Sequence, residues 1–262
     1  HRVVLRSAVL PRPHERFPAA QPLLPNDSSM NPLLERLVFS LLLASTLAVD
    51  GIAADWPTYL GDSGRRGSSA ETAAFPLHAT WTYRGALPPR PAWPEPATRD
   101  ITNQRSDLRP EMTFDRAFGT IAAAGSVFFG SSADDCVVAL EASTGREKWR
   151  FFTEAPVRFA PTYFQGTLLA GSDDGAVYCL DAADGSLRWK HAGAAKRWFL
   201  PGNGRLMSLW PIRTGVVVED STAYFVAGMF PKQGQTLFAL DPRTGETEWK
   251  RTVTQPAQGY ML

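Results

Sequence analysis

One phrase is written three times in the chain: VVALEASTGREKW at Val137–Trp149, VYCLDAADGSLRW at Val177–Trp189 and LFALDPRTGETEW at Leu237–Trp249. Each copy has a leucine nine residues before its tryptophan (Leu140, Leu180, Leu240) and a glycine five residues after that leucine (Gly145, Gly185, Gly245). The residue ten before each tryptophan is small: Ala139, Cys179, Ala239. The tryptophans are 40 and then 60 residues apart, a period that marks stacked supersecondary units. Within one unit, Val177-Tyr178-Cys179-Leu180 is short, apolar and β-branched or aromatic, which suits a buried strand. Asp181–Gly185 is turn chemistry, since an Asp side chain captures backbone N–H groups and Gly takes a positive φ. Ser186–Trp189 returns as a second strand, and Phe164–Gly175 holds another between two glycine turns. Each repeat therefore reads as a meander of about four short strands, the size of one propeller blade. A lone four-stranded sheet cannot bury an indole well. Burying one removes ~150–250 Å² from water, roughly 4–6 kcal/mol as an upper bound. Trp149, Trp189 and Trp249 are thus expected at seams between blades, with Gly145, Gly185 and Gly245 as the accompanying turn residues.

At these residues the pattern A-L-[DE]-x-x-T-G-x-x-x-W resembles the tryptophan-docking motif of pyrroloquinoline quinone (PQQ)-type propeller repeats. Such repeats occur in quinoprotein alcohol dehydrogenases and in BamB-like outer-membrane assembly scaffolds. Phe129–Asp135, Pro156–Pro161, Gly171–Gly175, Gly202–Arg205 and Trp210-Pro211 extend the resemblance, which covers about residues 54–256. It implies an all-β fold: a propeller of four-stranded antiparallel blades. It says little about activity, because one fold hosts many functions.

In chain order, residues 1–29 are rich in Pro and Arg and read as disordered, or as sequence upstream of a start at Met30. Residues 30–54 resemble a secretory signal: Arg36, then a 13-residue apolar core over Leu37–Val49, then a small-residue cleavage site. That core is short for a ~30 Å hydrocarbon layer, and no other segment is apolar enough for a span. Residues 55–111 hold an N-terminal closing strand and a Pro-rich loop. Leu77–Tyr83 alternates like a strand, and Trp81 is a candidate to close the ring. Blades are expected over about 112–152, 157–191 and 212–251, within a propeller region of 112–262. An insertion over 192–211 explains the longer second spacing. Propellers close with about four to eight blades, so three blades and a closing strand are expected to be an N-terminal portion of a longer protein.

A net charge of +1 and a pI near 8.0 give no field that would draw nucleic acid. Cys136 and Cys179 sit at non-equivalent positions, and Cys179 is read as a small core residue rather than half of a disulfide. His191, just after a docking tryptophan, reads as a solvated strand end. Asp134-Asp135 and Asp173-Asp174 read as turn-fixing pairs rather than Ca²⁺ ligands. One cluster is less ordinary. Arg158, Lys196, Arg197, Trp198, Asn203, Arg205, Trp210 and Arg213 fall on loops or strand ends around the insertion. They form either a polar, anion-accepting mouth or a structural set, with tryptophans holding the insertion and arginines paired to local acids. If PQQ with calcium binds, Arg158, Arg197, Asn203, Arg205, Trp210 and Arg213 are the residues to examine. No catalytic constellation and no metal-ligand spacing is recognisable. The expected function is that of an exported, non-enzymatic scaffold or binding module, holding protein partners or a small ligand on its loops. The alternative implied by the resemblance is a PQQ- and calcium-dependent dehydrogenase of alcohols or sugars.

Overall fold

The computed structural model describes residues 54–72, 75–91, 117–202, 204–229, 231–255, 257, 259 and 260. The proposed leader and most of the Pro-rich loop therefore lie outside the described residues.

Three four-stranded antiparallel meanders dominate. Blade 1 is β1 (Thr120–Ala123), β2 (Ser126–Ser131), β3 (Cys136–Glu141) and β4 (Glu147–Phe152), paired in that order. Blade 2 is β5 (Thr162–Phe164), β6 (Thr167–Gly171), β7 (Ala176–Asp181) and β8 (Leu187–Ala192). The insertion then forms a hairpin, β9 (Phe199–Gly202) with β10 (Arg205–Ser208). A short β11 (Thr214–Gly215) precedes blade 3, made of β12 (Val217–Glu219), β13 (Thr222–Ala227), β14 (Gln235–Leu240) and β15 (Thr247–Val253). Finally β16 (Gly259–Tyr260) pairs in parallel with β11.

The repeated phrase folds the same way each time. Tryptophan and small residue are cross-strand partners: Ala139 opposite Trp149, Cys179 opposite Trp189, Ala239 opposite Trp249. One step on, the register shifts by a bulge at the same place in all three blades. A bulge increases local twist and re-aims the side chain beside it. A small residue opposite leaves the indole free to lean away from its own sheet.

Central strands are apolar throughout because both of their faces are buried. In β7, Tyr178 and Leu180 join the cluster shared with blade 1, while Val177 and Cys179 join the one shared with blade 3. This is the period-two alternation of a strand, used to serve two cores at once. A third cluster covers the other face of blade 1, where Phe129, Val138 and Leu140 meet Trp81 and Tyr83.

Two of the three repeated indoles, Trp149 and Trp189, dock on the following blade. A β-carbon added to Gly185 would stand 2.6 Å from the Trp149 ring, and one on Gly245 2.7 Å from Trp189. Both glycines have φ of +75°, so two independent constraints require Gly there. The indole nitrogens donate to the carbonyls three residues earlier, Trp149 to Ala182 and Trp189 to Pro242, each at 3.1 Å. Trp81 repeats the arrangement on blade 1, facing Gly145 and donating to the Ala142 carbonyl at 2.9 Å.

Three expectations need correction. Residues 77–83 form no ladder, because no strand lies within hydrogen-bonding reach among the described residues; only Trp81 and Tyr83 engage blade 1. Trp249 does not dock. It is 44% exposed and leans on Tyr224 of its own blade, since no further sheet among the described residues covers β15. His191 is not a solvated strand end but half-buried in a seam, against Phe225 and Phe238. Cys136 and Cys179 are buried free thiols, which burial pushes up to about 11 in each case.

Candidate functional site

The connections between blades share a phrase: Pro156-Val157-Arg158 before β5 and Pro211-Ile212-Arg213 before β11. In each, the aliphatic residue fills the space left by a glycine of the preceding blade, Val157 at Gly130 and Ile212 at Gly171. That anchor fixes the arginine that follows. Both arginines converge on Asp173, at the turn between β6 and β7. Arg158 Nε donates to Asp173 Oδ2 at 2.7 Å. Arg213 donates in the bidentate manner, Nε to Oδ1 at 2.8 Å and Nη2 to Oδ2 at 2.9 Å. The side chains of all three are at most 7% exposed. Arg158 also donates to the Arg90 carbonyl, and Arg213 lies beside the sulfurs of Met207 and Met229.

Arg205 enters the same neighbourhood from the hairpin, bonding Asp135 and the Ala133 carbonyl. Burial pushes the Asp135 carboxyl up, against the pull of Arg205 and then Arg158. Asp134 and Asp174 do fix turns: Asp134 accepts from Ser131 Oγ at 3.2 Å, and Asp174 from the Ala176 N–H at 2.9 Å.

The remaining predicted residues form a second group around the insertion. Arg197 bonds Glu154, which also accepts from Lys190 Nζ at 2.7 Å. Burial would lower the Lys190 ammonium, but its bonds to Glu154 and Tyr178 outweigh this and raise it. Trp198 and Trp210 stand 6.0 Å apart, and the Trp210 indole donates to the Gln233 carbonyl at 2.7 Å. Lys196 lies over the Trp198 ring at 5.5 Å. Asn203 lies outside the described residues. Among the described residues, no group of three or more His, Cys, Asp or Glu side chains is placed to hold a metal ion.

Sequence reasoning missed two anchors, Asp173 and Asp135, because each looks like a turn aspartate. The repeated Pro-aliphatic-Arg phrase was the available signal, since two equivalent buried arginines require a shared counter-charge. It also missed Lys250 and Arg251 of β15. They line a hollow of about 840 Å³ with His191 and Trp210.

The family model for outer membrane protein assembly factor BamB matches residues 101–262. The chain belongs to this PQQ-repeat propeller family. Among curated proteins it is similar to the serine/threonine-protein kinase AfsK of Streptomyces coelicolor, 42% identical over 145 residues. The match takes in 55% of this chain and 16% of the kinase, so the chain spans a small part of that relative's length. Solved structures of similar fold include BamB from Moraxella catarrhalis, at 17% identity and a TM-score of 0.39, covering 52% of this chain and 35% of that one. Another is the quinohemoprotein alcohol dehydrogenase from Comamonas testosteroni, at 16% identity and a TM-score of 0.46, covering 76% of this chain and 27% of that one.

Proposed function

We propose that this PQQ-repeat propeller is a non-enzymatic scaffold or binding module, carried to an exported location by the leader read at residues 30–54. The observation that supports this reading is the state of the arginines. An anionic quinone cofactor needs cations free to meet its carboxylates. Arg158 and Arg213 are buried on one aspartate, Arg205 is bonded to a second, and Arg197 is bonded to Glu154. The arginines singled out in the sequence are therefore engaged by carboxylates of the protein itself rather than free for PQQ. Buried pairs of this kind hold blades in register. One propeller fold hosts many functions.

The test is direct. Purified protein supplied with PQQ and Ca²⁺ is expected to give no dye-linked oxidation of primary alcohols or aldoses. Sustained turnover that disappears with the cofactor would overturn the scaffold reading.

A further inference from the structure

Two adjoining hollows flank the end of β8 and share Ala192 and Ala194 in their walls, the larger one at the seam between blades 2 and 3. The smaller, about 240 Å³, is lined by Lys190, Lys196 and Arg197. The larger, about 840 Å³, is lined by Lys250 and Arg251 beside His191 and Trp210. Lys190 and Arg197 are already paired to Glu154, and Lys190 also lies 3.5 Å from the one carboxylate in the walls, Asp174. It is 9% exposed and already accepts from Tyr178 and the Ala176 N–H. Among the described residues no carboxylate pairs with Lys196, Lys250 or Arg251. Beside the hollows the insertion exposes apolar surface: Trp198 at 57%, Phe199 at 41% and Leu206 at 63%. Lone exposed apolar residues are ordinary, but three on one short insertion beside unpaired cations form a patch.

We propose that the insertion and the neighbouring β15 dock an acidic peptide segment of a protein partner, one carrying an aromatic or aliphatic side chain among its carboxylates. The inference rests on the scaffold reading above and names the partner's chemistry. Carboxylates meet Lys196, Lys250 and Arg251, and the apolar side chain lies against Trp198 and its neighbours. The cations line concave walls on both sides of Ala192–Ala194, where a flexible chain reaches them and a planar anionic surface does not. The net charge of +1 supplies none of the long-range field on which nucleic-acid binding depends. Aromatic and arginine side chains in such a setting carry most of the binding energy.

The experiment titrates the whole chain with a fluorescein-labelled Asp-Glu-Phe-Glu-Asp-Phe-Glu peptide, read by anisotropy. Comparison arms are the same peptide with Lys at every acid, an acidic peptide with Ala for Phe, and phosphatidylglycerol vesicles. Binding in the micromolar range is expected for the first peptide only. Lys250→Glu with Arg251→Glu is expected to weaken it at least about tenfold, as removal of complementary charge does. Trp198→Ala should weaken it by a similar factor, and Arg146→Glu, on the exposed turn after β3, should leave it unchanged. If Trp198→Ala fails to fold by circular dichroism, the Lys250/Arg251 variant alone decides. Equal binding of the basic peptide, binding to vesicles but not to peptide, or affinity unmoved by the charge reversal would each overturn the proposal. Failure here without PQQ-dependent turnover removes the acidic partner and leaves the scaffold reading standing; turnover removes the scaffold reading itself.

Discussion

Across the seam between blades 1 and 2, Phe151 stands edge-on to Tyr178 at 5.6 Å. Across the seam between blades 2 and 3, the same place in the motif is filled by His191, 5.2 Å from Phe238. Both residues come two positions after a docked tryptophan, and Tyr83 does the same after Trp81, 5.5 Å from Phe129. So each seam is an indole over a glycine followed by a ring over the next core. One seam has a polar ring where the others have Phe or Tyr. His191 Nδ1 lies 3.1 Å from the Gly245 carbonyl, so that nitrogen carries the proton and donates. Its Nε2 is then a buried acceptor with no partner among the described residues. The second seam is also the one that the insertion and the cations of β15 line. The comparison teaches that docking and polarity are separable: the indole–glycine contact is kept in both seams, and polar side chains are added in one.

The largest effects should fall on the docked indoles. Trp149→Ala and Trp189→Ala are each expected to lose about 3–5 kcal/mol in urea melts, as for a large buried aromatic. Trp249→Ala, half exposed, should lose under about 1 kcal/mol. Equal losses at all three would break the distinction between covered and open faces. Next, Arg213→Met should cost about 3–5 kcal/mol, because it leaves the buried Asp173 with one cation in place of two. A neutral result would mean that Asp173 reaches water.

The smallest effect sharpens the comparison most closely. His191→Phe should be stabilising by about 0.5–1 kcal/mol, since it removes an unpartnered acceptor at the loss of one hydrogen bond. Burial, and then the nearby Lys250, push the His191 imidazole below its ordinary value of 6.5, against the bond to Gly245. The unfolded chain therefore takes up a proton that the folded chain resists. Wild-type stability should fall as pH drops below 6.5, and that slope should be shallower in His191→Phe. Identical slopes for the two proteins would place the His191 ring in water.

The all-β propeller architecture was legible because its signals are local. A strand buried on both faces is apolar without a break, as in Val177–Leu180, and a turn that requires positive φ shows its glycine. What could not be read was which indole meets which glycine, because Trp149 and Gly185 belong to different copies of the phrase. The alternation at 77–83 suggested a strand, but alternation makes a ladder only where a neighbour supplies hydrogen bonds. Asp173 was hidden for a related reason, since its two arginines approach from separate connections, 15 and 40 residues away. The sequence leaves Arg158 and Arg213 either as part of a mouth or as arginines paired to local acids; burial on one shared aspartate is the second, a clamp between blades.

The central claim is that a glycine beneath an indole joins each blade to the next. Gly185 and Gly166 both have positive φ, but a β-carbon at Gly166 would meet nothing within 4 Å, whereas one at Gly185 would meet Trp149. Equilibrium urea unfolding of Gly185→Ala beside Gly166→Ala therefore cancels the backbone cost of about 1–2 kcal/mol and leaves the docking contact. Gly185→Ala is expected to lose at least about 2 kcal/mol more than Gly166→Ala, in line with overpacking of a filled contact. Equal losses in the two variants would contradict the account.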